Sequence, residues 1–268
     1  MPVITLATDF GISDPYAGIM KGVILSIAPG VSIIDLSHSI EARDIAGAAY
    51  LIDSSYRYFP EKSVHVLVVD PGVGSDRAII AAAVDGHCFL APDNGVMTKI
   101  LARNRVETLV TVENSEHFRH PVSRTFHGRD VFAPVAAHMA GGTSLSSLGS
   151  PVSTADLVML SLPEPHINDA GELEGEVVTI DHFGNLITNL DEKRLTQFST
   201  LWGPGNLWVH TGGNCINGLS DAYQAVRPGQ LLAILGSRGY LEISVNAGDA
   251  RAHCGVGKGA PVRLRKSG

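Results

Sequence analysis

The stretch of residues 64–77, VHVLVVDPGVGSDR, constrains the fold of this chain more than any other part of the sequence. Five of its first six residues are Val or Leu, which is typical of a strand covered on both faces of a sheet. Asp70 follows where the strand should end, at the edge where open α/β sheets bind ligands. Gly72 and Gly74 permit a tight turn, and Arg77 is near enough to fold back on Asp70. The sequence therefore predicts a buried strand whose end carries a polar site.

Strand and helix patterns alternate up to this stretch. The predicted elements are a strand at 3–10, a helix at 16–28, a strand at 31–36 and a helix at 44–58. This order predicts a mostly parallel sheet with right-handed crossovers. Beyond the stretch, Asp85-Gly86 between two apolar runs predicts a hairpin. A short helix to 102, a strand at 106–112 and a helix at 129–139 complete this part of the chain.

From residue 171 onward the pattern changes to closely spaced strands separated by Gly and Asn turns. The predicted strands are 175–180, 207–210, 230–235, 240–245 and 261–264. We therefore predict the α/β class, with an N-terminal, mostly parallel α/β sandwich domain at 1–155. A linker at 156–170 and a smaller C-terminal all-β, barrel-like domain at 171–268 follow it.

The composition narrows the function. The chain has 268 residues, 44% hydrophobic and 18% charged, which is enough to bury a large core. A net charge of -7 with scattered Lys and Arg disfavours nucleic-acid binding. The three cysteines form no CxxC motif, which indicates a reducing compartment. No basic segment precedes the first strand, and no apolar run reaches about 20 residues. We therefore predict a soluble, cytoplasmic protein without a membrane partner. No zinc spacing occurs, so we expect no metal.

An acid, a permanent cation and an imidazole stand out at the ends of the predicted N-terminal strands. They are Asp70, Arg77 and His127. Together such groups can hold and deprotonate a water molecule in a closed site. No Ser or Cys stands in an elbow motif, so covalent catalysis is not indicated. The alternative is that Asp70 and Arg77 form a structural ion pair and that His127 is a structural histidine.

Other polar residues form two further groups. Asp9 can accept two hydroxyl groups, as sugar-binding acids do, whereas Asp14 suits the N-cap of the next helix. The β domain contributes residues at two sharp turns: Asp181, Asn185, Ser237 and Arg238. An Asp there can take an ammonium group, an Asn can pair with an adenine edge, and Ser beside Arg suits a carboxylate. The alternative is that these residues only close two hairpins.

Seven motifs occur in order along nearly the whole chain. They are TDFG at 8–11, Asp14 with Tyr16, VDPGVGS at 69–75 with Arg77, APDNG at 91–95, TFHGRD at 125–130, IDHFGN at 180–185 and SRGYLEI at 237–243. Together they resemble the S-adenosylmethionine (SAM) hydroxide adenosyltransferases, or SAM hydrolases. These enzymes are related to the fluorinase and chlorinase 5′-halo-adenosine synthases.

The resemblance implies an N-terminal α/β domain, a C-terminal β domain and a homotrimer. Its active sites lie between the N-terminal domain of one subunit and the C-terminal domain of the next. Water or hydroxide attacks the ribose C5′ of SAM, giving adenosine and L-methionine. No metal or cofactor is implied, because the sulfonium is already a good leaving group.

The resemblance also implies a role for each matched position. Asp70, Arg77 and His127 match the triad that positions and activates the water. For the nucleoside, the resemblance implies that Asp9 binds the ribose hydroxyls and that Asn185, with backbone around Val245 to Ala247, binds adenine. For the amino acid, Asp14 and Tyr16 line the pocket, Asp181 binds the ammonium, and Ser237 and Arg238 bind the carboxylate.

Three departures from the fluorine enzyme favour hydrolysis. That enzyme has Tyr at the position of Asp70, Thr at that of Val73 and Ser at that of Gly128. A carboxylate at Asp70 repels halide and can accept a proton from water. The alternatives are a halide-dependent adenosyltransferase and a non-catalytic adenosine- or SAM-binding protein in which the triad serves only the structure.

Overall fold

The structure, a computed structural model, describes residues 1–200 and 207–266. The chain forms two compact units, Met1–Leu160 and Ser161–Gly268. Their division lies inside the predicted linker. The domain limits at 155 and 171 stay predictions, because compactness alone does not show that either unit folds independently. No helix in the described ranges is long and apolar enough to cross a bilayer.

A six-stranded sheet forms the centre of the N-terminal unit. Its strands are β1 (Val3–Thr8), β2 (Ser32–Ser37), β3 (Val64–Val68), β4 (Ile79–Val84), β5 (His87–Pro92) and β6 (Val106–Thr111), in the order β2-β1-β3-β5-β4-β6. The pairs β1–β2, β1–β3 and β3–β5 are parallel, whereas β4 is antiparallel to β5 and β6. Strand β4 is antiparallel to β5 because a tight turn at Asp85-Gly86 joins the two strands. The φ angles of these residues, 52° and 74°, give the two-residue hairpin that the sequence predicts. The mostly parallel sheet is thus confirmed.

Helices cover both faces of this sheet. They are α1 (Tyr16–Ile27), α2 (Ile45–Asp53), α3 (Thr98–Arg103) and α4 (Ala133–Ala140). Val64, Val66 and Val68 of β3 belong to a core that includes residues of α1 and α4. Leu67 and the following Val69 belong to a second core, with residues of α2 and α3. Burial on both faces explains the unbroken apolar run in the sequence.

Two predicted helices differ from the observed ones. The helix predicted at 44–58 ends at Asp53, where the hydroxyls of Ser54 and Ser55 donate to the Leu51 carbonyl and compete with helix continuation. The helix predicted at 129–139 starts as a π-helical turn, Gly128–Phe132, before α4. Short 3-10 helices lie at Tyr56–Tyr58, Ser115–His117, Leu145–Ser147, Thr154–Asp156 and, in the second unit, Tyr223–Ala225.

The C-terminal unit is an antiparallel sheet that nearly closes into a barrel. Its strands are β7 (His166–Ile167), β8 (Leu173–Ile180), β9 (Leu186–Asp191), β10 (Leu207–Thr211), β11 (Asn214–Asn217), β12 (Leu231–Leu235), β13 (Tyr240–Val245) and β14 (Pro261–Lys266). Their order is β11-β10-β14-β8-β9-β13-β12, with β7 beside β8. A bridge from Ser220, just after β11, to Ile234 in β12 links the two ends. The barrel-like β domain is confirmed.

The sequence patterns missed three strands, β7, β9 and β11, and two helices of this unit, α5 (Glu192–Thr200) and α6 (Ala250–Cys254). Strand β9 is the informative case. It contains Asn189, which is buried yet satisfied: its Oδ1 accepts from Glu176 N at 2.8 Å and its Nδ2 donates to Pro163 O at 2.9 Å. A polar residue whose hydrogen bonds are met inside the protein leaves no apolar signal in the sequence.

Candidate active site

Asp70, Arg77 and His127 lie together beyond the end of β3. The Arg77 Nε donates to both carboxylate oxygens of Asp70, at 2.9 and 3.0 Å, and its Nη2 donates to Oδ2. The same Nη2 lies 3.0 Å from His127 Nδ1. The side chains of Asp70 and Arg77 are only 4% and 11% exposed. The structure therefore unites the acid, cation and imidazole that the sequence grouped, and screening of this pair by water is weak.

Glycine makes this arrangement possible. Gly74 has φ of 79°, and a Cβ there would lie 2.1 Å from the carbonyl oxygen of Arg124. The turn therefore packs on the backbone of the segment that leads into His127. A Cβ on Gly72 would lie 3.3 Å from Arg77 Cγ, so the arginine side chain covers that glycine closely. The VDPGVGS motif thus brings the turn and the histidine segment together.

The hydrogen bond from Arg77 decides which nitrogen of His127 carries the proton. Burial, together with the Arg77 guanidinium, lowers the pKa of His127 below its ordinary value, so the ring is neutral near neutral pH. Arginine can only donate, so Nδ1 accepts and the N–H is on Nε2. In this geometry His127 offers a donor to a bound molecule, and the proton acceptor beside it is the Asp70 carboxylate.

Asp130 holds the histidine segment in place. Its buried carboxylate accepts from Arg129 Nε at 2.7 Å and Nη2 at 2.8 Å, and from Ser123 N at 2.9 Å. Burial would raise the pKa of Asp130, but these hydrogen bonds outweigh it and lower the pKa below its ordinary value. The backbone carbonyl of Asp130, which Pro134 cannot use because it lacks an N–H, accepts from Arg119 N at 2.8 Å. Asp130 is therefore a structural residue.

Aromatic side chains fill the space beside Gly128. The rings of Phe10, Tyr16 and Phe126 pack edge to face or tilted, with centroids 5.1 to 5.9 Å apart. A Cβ on Gly128 would lie 3.0 Å from Phe126, 3.2 Å from the Met20 sulfur and 3.3 Å from Phe10. A serine here would require these neighbours to move, so the structure fits the glycine that distinguishes this chain from the fluorine enzyme.

The remaining candidates of the N-terminal unit lie near β1 and α1. Asp9 follows β1, and its Oδ2 accepts from the backbone N of Arg43 at 2.9 Å. Asp14 is exposed, and the N-cap of α1 is Pro15, with no side-chain hydrogen bond. The interpretation of Asp14 as a helix cap is therefore wrong, because the preceding turn places Pro15 at the cap. Tyr16 is the first residue of α1 and is 45% exposed.

In the C-terminal unit, Asp181 and Asn185 bind each other in the turn between β8 and β9. Asp181 Oδ1 accepts from the backbone N of Phe183 and of Asn185, both at 2.9 Å. Asn185 Nδ2 donates to Asp181 Oδ2 at 2.9 Å. Oδ1 therefore uses both of its lone pairs, whereas Oδ2 has one left, so Asp181 can still accept from a ligand through Oδ2.

Ser237 and Arg238 are exposed in the turn between β12 and β13, which closes through Gly236 N and Tyr240 O at 2.9 Å. At the other end of β13, Val245 is buried and Ala247 has a φ of 55°. The register of β9 and β13 pairs Leu186 with Ile243, so Asn185 lies toward the Val245 end. The candidates of this unit are thus divided between the two ends of β13.

A buried carboxylate that the sequence reasoning missed lies next to the Ser237–Arg238 turn. Glu242 Oε1 accepts from Tyr223 Oη at 2.7 Å and Ser244 Oγ at 2.9 Å, and a Cβ on Gly236 would lie 2.6 Å from Oε2. Burial and the bond to Glu242 raise the pKa of Tyr223 to about 12. An acid inside the apolar run YLEISV was the available signal.

Among residues 1–200 and 207–266, no group of three or more His, Cys, Asp or Glu side chains is arranged to hold a metal ion.

Comparisons with known proteins show the family to which this chain belongs. Residues 4–149 match the family model described as the SAM hydroxide adenosyltransferase N-terminal domain. Residues 175–263 match the corresponding C-terminal domain. A protein of Thermus thermophilus named (R)-S-adenosyl-L-methionine hydrolase is 37% identical, over 98% of this chain and 100% of its own length.

A fluorinase and a solved structure are also similar to this chain. A fluorinase of an Actinoplanes species is 30% identical, over 73% of this chain and 74% of its own length. A crystal structure of an uncharacterised conserved protein from Thermotoga maritima superposes with a TM-score of 0.90 at 33% identity, covering 98% of this chain and 99% of that one. The resemblance drawn from the seven motifs is confirmed, and the chain belongs to the SAM hydroxide adenosyltransferase family.

Proposed function

We propose that the chain hydrolyses SAM to adenosine and L-methionine by attack of water on the ribose C5′. The observation that carries this proposal is the buried Asp70–Arg77 pair with His127 on the same guanidinium. A fixed acceptor and a fixed donor side by side are what an in-line water needs. The name of the Thermus relative, a SAM hydrolase, supports the same reaction.

The residues divide the work as follows. His127 donates its Nε2 hydrogen to the water oxygen, and Asp70 accepts a proton from the water as the new O–C5′ bond forms. The C5′–S bond breaks, and its electron pair stays on sulfur, which becomes the neutral thioether of methionine. Arg77 holds both partners in register through its fork of donors. The proton passes from Asp70 to solvent after adenosine leaves.

The remaining candidate residues bind the substrate in this proposal. Their roles are Asp9 with the ribose hydroxyls, Asp14 and Tyr16 near the amino acid, Asp181 with the ammonium, Ser237 and Arg238 with the carboxylate, and Asn185, Val245 and Ala247 with adenine. The six residues of β13 separate the last two groups by about 17 Å at 3.4 Å per residue.

The assembly and environment are also proposals. We infer a homotrimer with active sites at subunit interfaces, a cytoplasmic location, and turnover without a metal or cofactor. The family resemblance supports the trimer, and the sulfonium leaving group supports cofactor independence. The cysteines Cys88, Cys215 and Cys254 are all free, which fits a reducing compartment.

The crowded space at Gly128 argues against the halide-dependent alternative. Atoms of Phe126, Met20 and Phe10 lie 3.0 to 3.3 Å from the Cβ that a serine would add. The Asp70 carboxylate adds an anion where a halide would have to bind. We therefore expect no 5′-halo-adenosine from SAM in the presence of chloride or fluoride.

The test is incubation of purified protein with SAM in water labelled with heavy oxygen. We expect adenosine carrying the label at its 5′ hydroxyl, together with unlabelled methionine. The two epimers at sulfur should be assayed separately, because the relative's name specifies the R form. We expect turnover of that epimer. Adenosine without label would reject attack at C5′, and tight adenosine binding without any product would favour the binding-protein alternative.

A further inference from the structure

Asp70 lies beyond the hydrogen-bonded part of its strand. The register of β3 with β1 ends at Val68, and that with β5 ends at Val66. Val69 and Asp70 therefore lie beyond the hydrogen-bonded ladder that fixes the preceding residues. Another element has to hold the backbone from which the Asp70 carboxylate projects.

The turn Pro92–Gly95, at the end of β5, supplies that support. Asn94 Nδ2 donates to the Val69 carbonyl at 2.8 Å, immediately before Asp70. Asp93 N donates to the Ala78 carbonyl at 2.9 Å, immediately after Arg77. The turn thus hydrogen-bonds to the residue before Asp70 and to the residue after Arg77.

The turn is itself rigid. Asn94 Oδ1 accepts from Val96 N at 3.2 Å, which fixes the side-chain amide. Asp93 Oδ1 accepts from Val158 N at 2.9 Å. Gly95 has a φ of 92°, and a Cβ there would lie 2.6 Å from the Leu160 side chain. Because these contacts hold the turn independently of Val69, the turn can support the backbone at Val69.

We propose that Asn94 is a positioning residue for the water site: its amide fixes the backbone from which Asp70 projects and so sets the distance from the carboxylate to the water. The inference rests on the proposed function. A misplacement of about 1 Å in a reacting group can cost on the order of 100-fold in rate. Substrate-binding groups elsewhere are untouched, so the loss falls on kcat rather than KM.

The first experiment compares Asn94→Ala with Asn114→Ala. Asn114 is a matched control: its Oδ1 accepts from the backbone N two residues on at 3.1 Å, and its Nδ2 donates to the Ser147 carbonyl at 3.0 Å. We expect Asn94→Ala to lower kcat about tenfold or more with KM changed less than about threefold. Asn114→Ala should change kcat less than about twofold at a similar thermal midpoint. Equal kcat values for the two variants would overturn the inference.

The second experiment separates positioning from general damage with a double-mutant cycle. If Asn94 acts through Asp70, then Asn94→Ala should lower the single-turnover rate less than about twofold in an Asp70→Asn background. The same loss in both backgrounds would reject the inference. Asn94→Asp, which keeps the shape and the Oδ1 acceptor, replaces Asn94→Ala if that variant does not fold. Wild-type turnover in Asp70→Asn alone would instead reject the proposed function.

Discussion

Two arginine-bearing turns, one in each unit, use the same residue type in opposite ways. In the loop 70–77, Arg77 Nε and Nη2 donate to Asp70 and His127, and the side chain is only 11% exposed. In the turn 236–240, Arg238 is exposed and the turn closes through backbone hydrogen bonds. A guanidinium that donates to side chains of its own chain holds reactive groups in place, whereas one that faces solvent is available to a ligand. The comparison predicts that damage to the first turn lowers the rate and damage to the second weakens binding.

The largest expected effect is that of Asp70→Asn. The amide keeps the shape of the side chain but is a poor proton acceptor, so kcat should fall about 100- to 10,000-fold. The dissociation constant for adenosine should change less than about threefold, because the amide can still hydrogen-bond the 5′ hydroxyl and the other nucleoside-binding groups remain. Steady-state kinetics and calorimetry with adenosine check this. A parallel loss of adenosine affinity would mean that Asp70 acts mainly by binding the nucleoside and not by accepting the proton.

Gly74→Ala should be the next most damaging change. Its Cβ would lie 2.1 Å from a backbone carbonyl, and its φ is positive, so we expect a loss of about 2 to 4 kcal/mol in the free energy of unfolding. Gly171→Ala is the control: φ there is 77° but nothing lies within 4 Å of the added carbon. It should cost about 1 kcal/mol. Equal losses in urea titrations would show that the packing on Arg124 is unimportant.

Arg238→Ala tests the binding half of the comparison. Loss of a charged hydrogen bond to the substrate carboxylate should raise KM about 10- to 100-fold, with stability within about 0.5 kcal/mol of wild type. Arg265→Ala removes an exposed arginine from β14 and should leave KM unchanged. A fall in kcat with constant KM for Arg238→Ala would contradict the claim that the turn 236–240 acts in substrate binding.

The last effect is absent at neutral pH and concerns acid stability, because the N-terminal unit contains a buried histidine pair. His65 is buried in β3, with Nδ1 2.8 Å from Thr5 Oγ1 and Nε2 3.2 Å from His87 Nδ1. Burial, aided by His87, lowers the pKa of His65 to about 3. The folded value lies below the unfolded value of about 6.5, so the unfolded state gains a proton first as the pH falls.

Stability should therefore drop by about 1.4 kcal/mol per pH unit between about pH 6.5 and about pH 3 on account of His65. The measurement is the free energy of unfolding in urea at several pH values. His65→Gln should remove this part of the slope, whereas His166→Gln, at an exposed position of the other unit, should not change it. An unaltered slope in His65→Gln would refute the assignment.

The sequence predicted most of what depends on local pattern. The run of Val and Leu at 64–69 indicated a strand buried on both faces, and the glycines after it indicated a tight turn; both are observed. The proximity of Arg77 and His127, which are 50 residues apart, was predicted from their places at the ends of predicted strands and from the family resemblance. Buried polar partners were not predictable, because Glu242 and Asn189 have partners that only the fold brings near. The hydrogen bond from Asn94 to the Val69 carbonyl could not be predicted for the same reason.

A crystal structure with bound adenosine tests the central claim most directly, because the 5′ oxygen of the product is the oxygen of the attacking water. We predict this oxygen within about 3 Å of an Asp70 carboxylate oxygen and of His127 Nε2. A 5′ hydroxyl bound by other groups, with Asp70 and His127 out of hydrogen-bonding reach, would contradict the account.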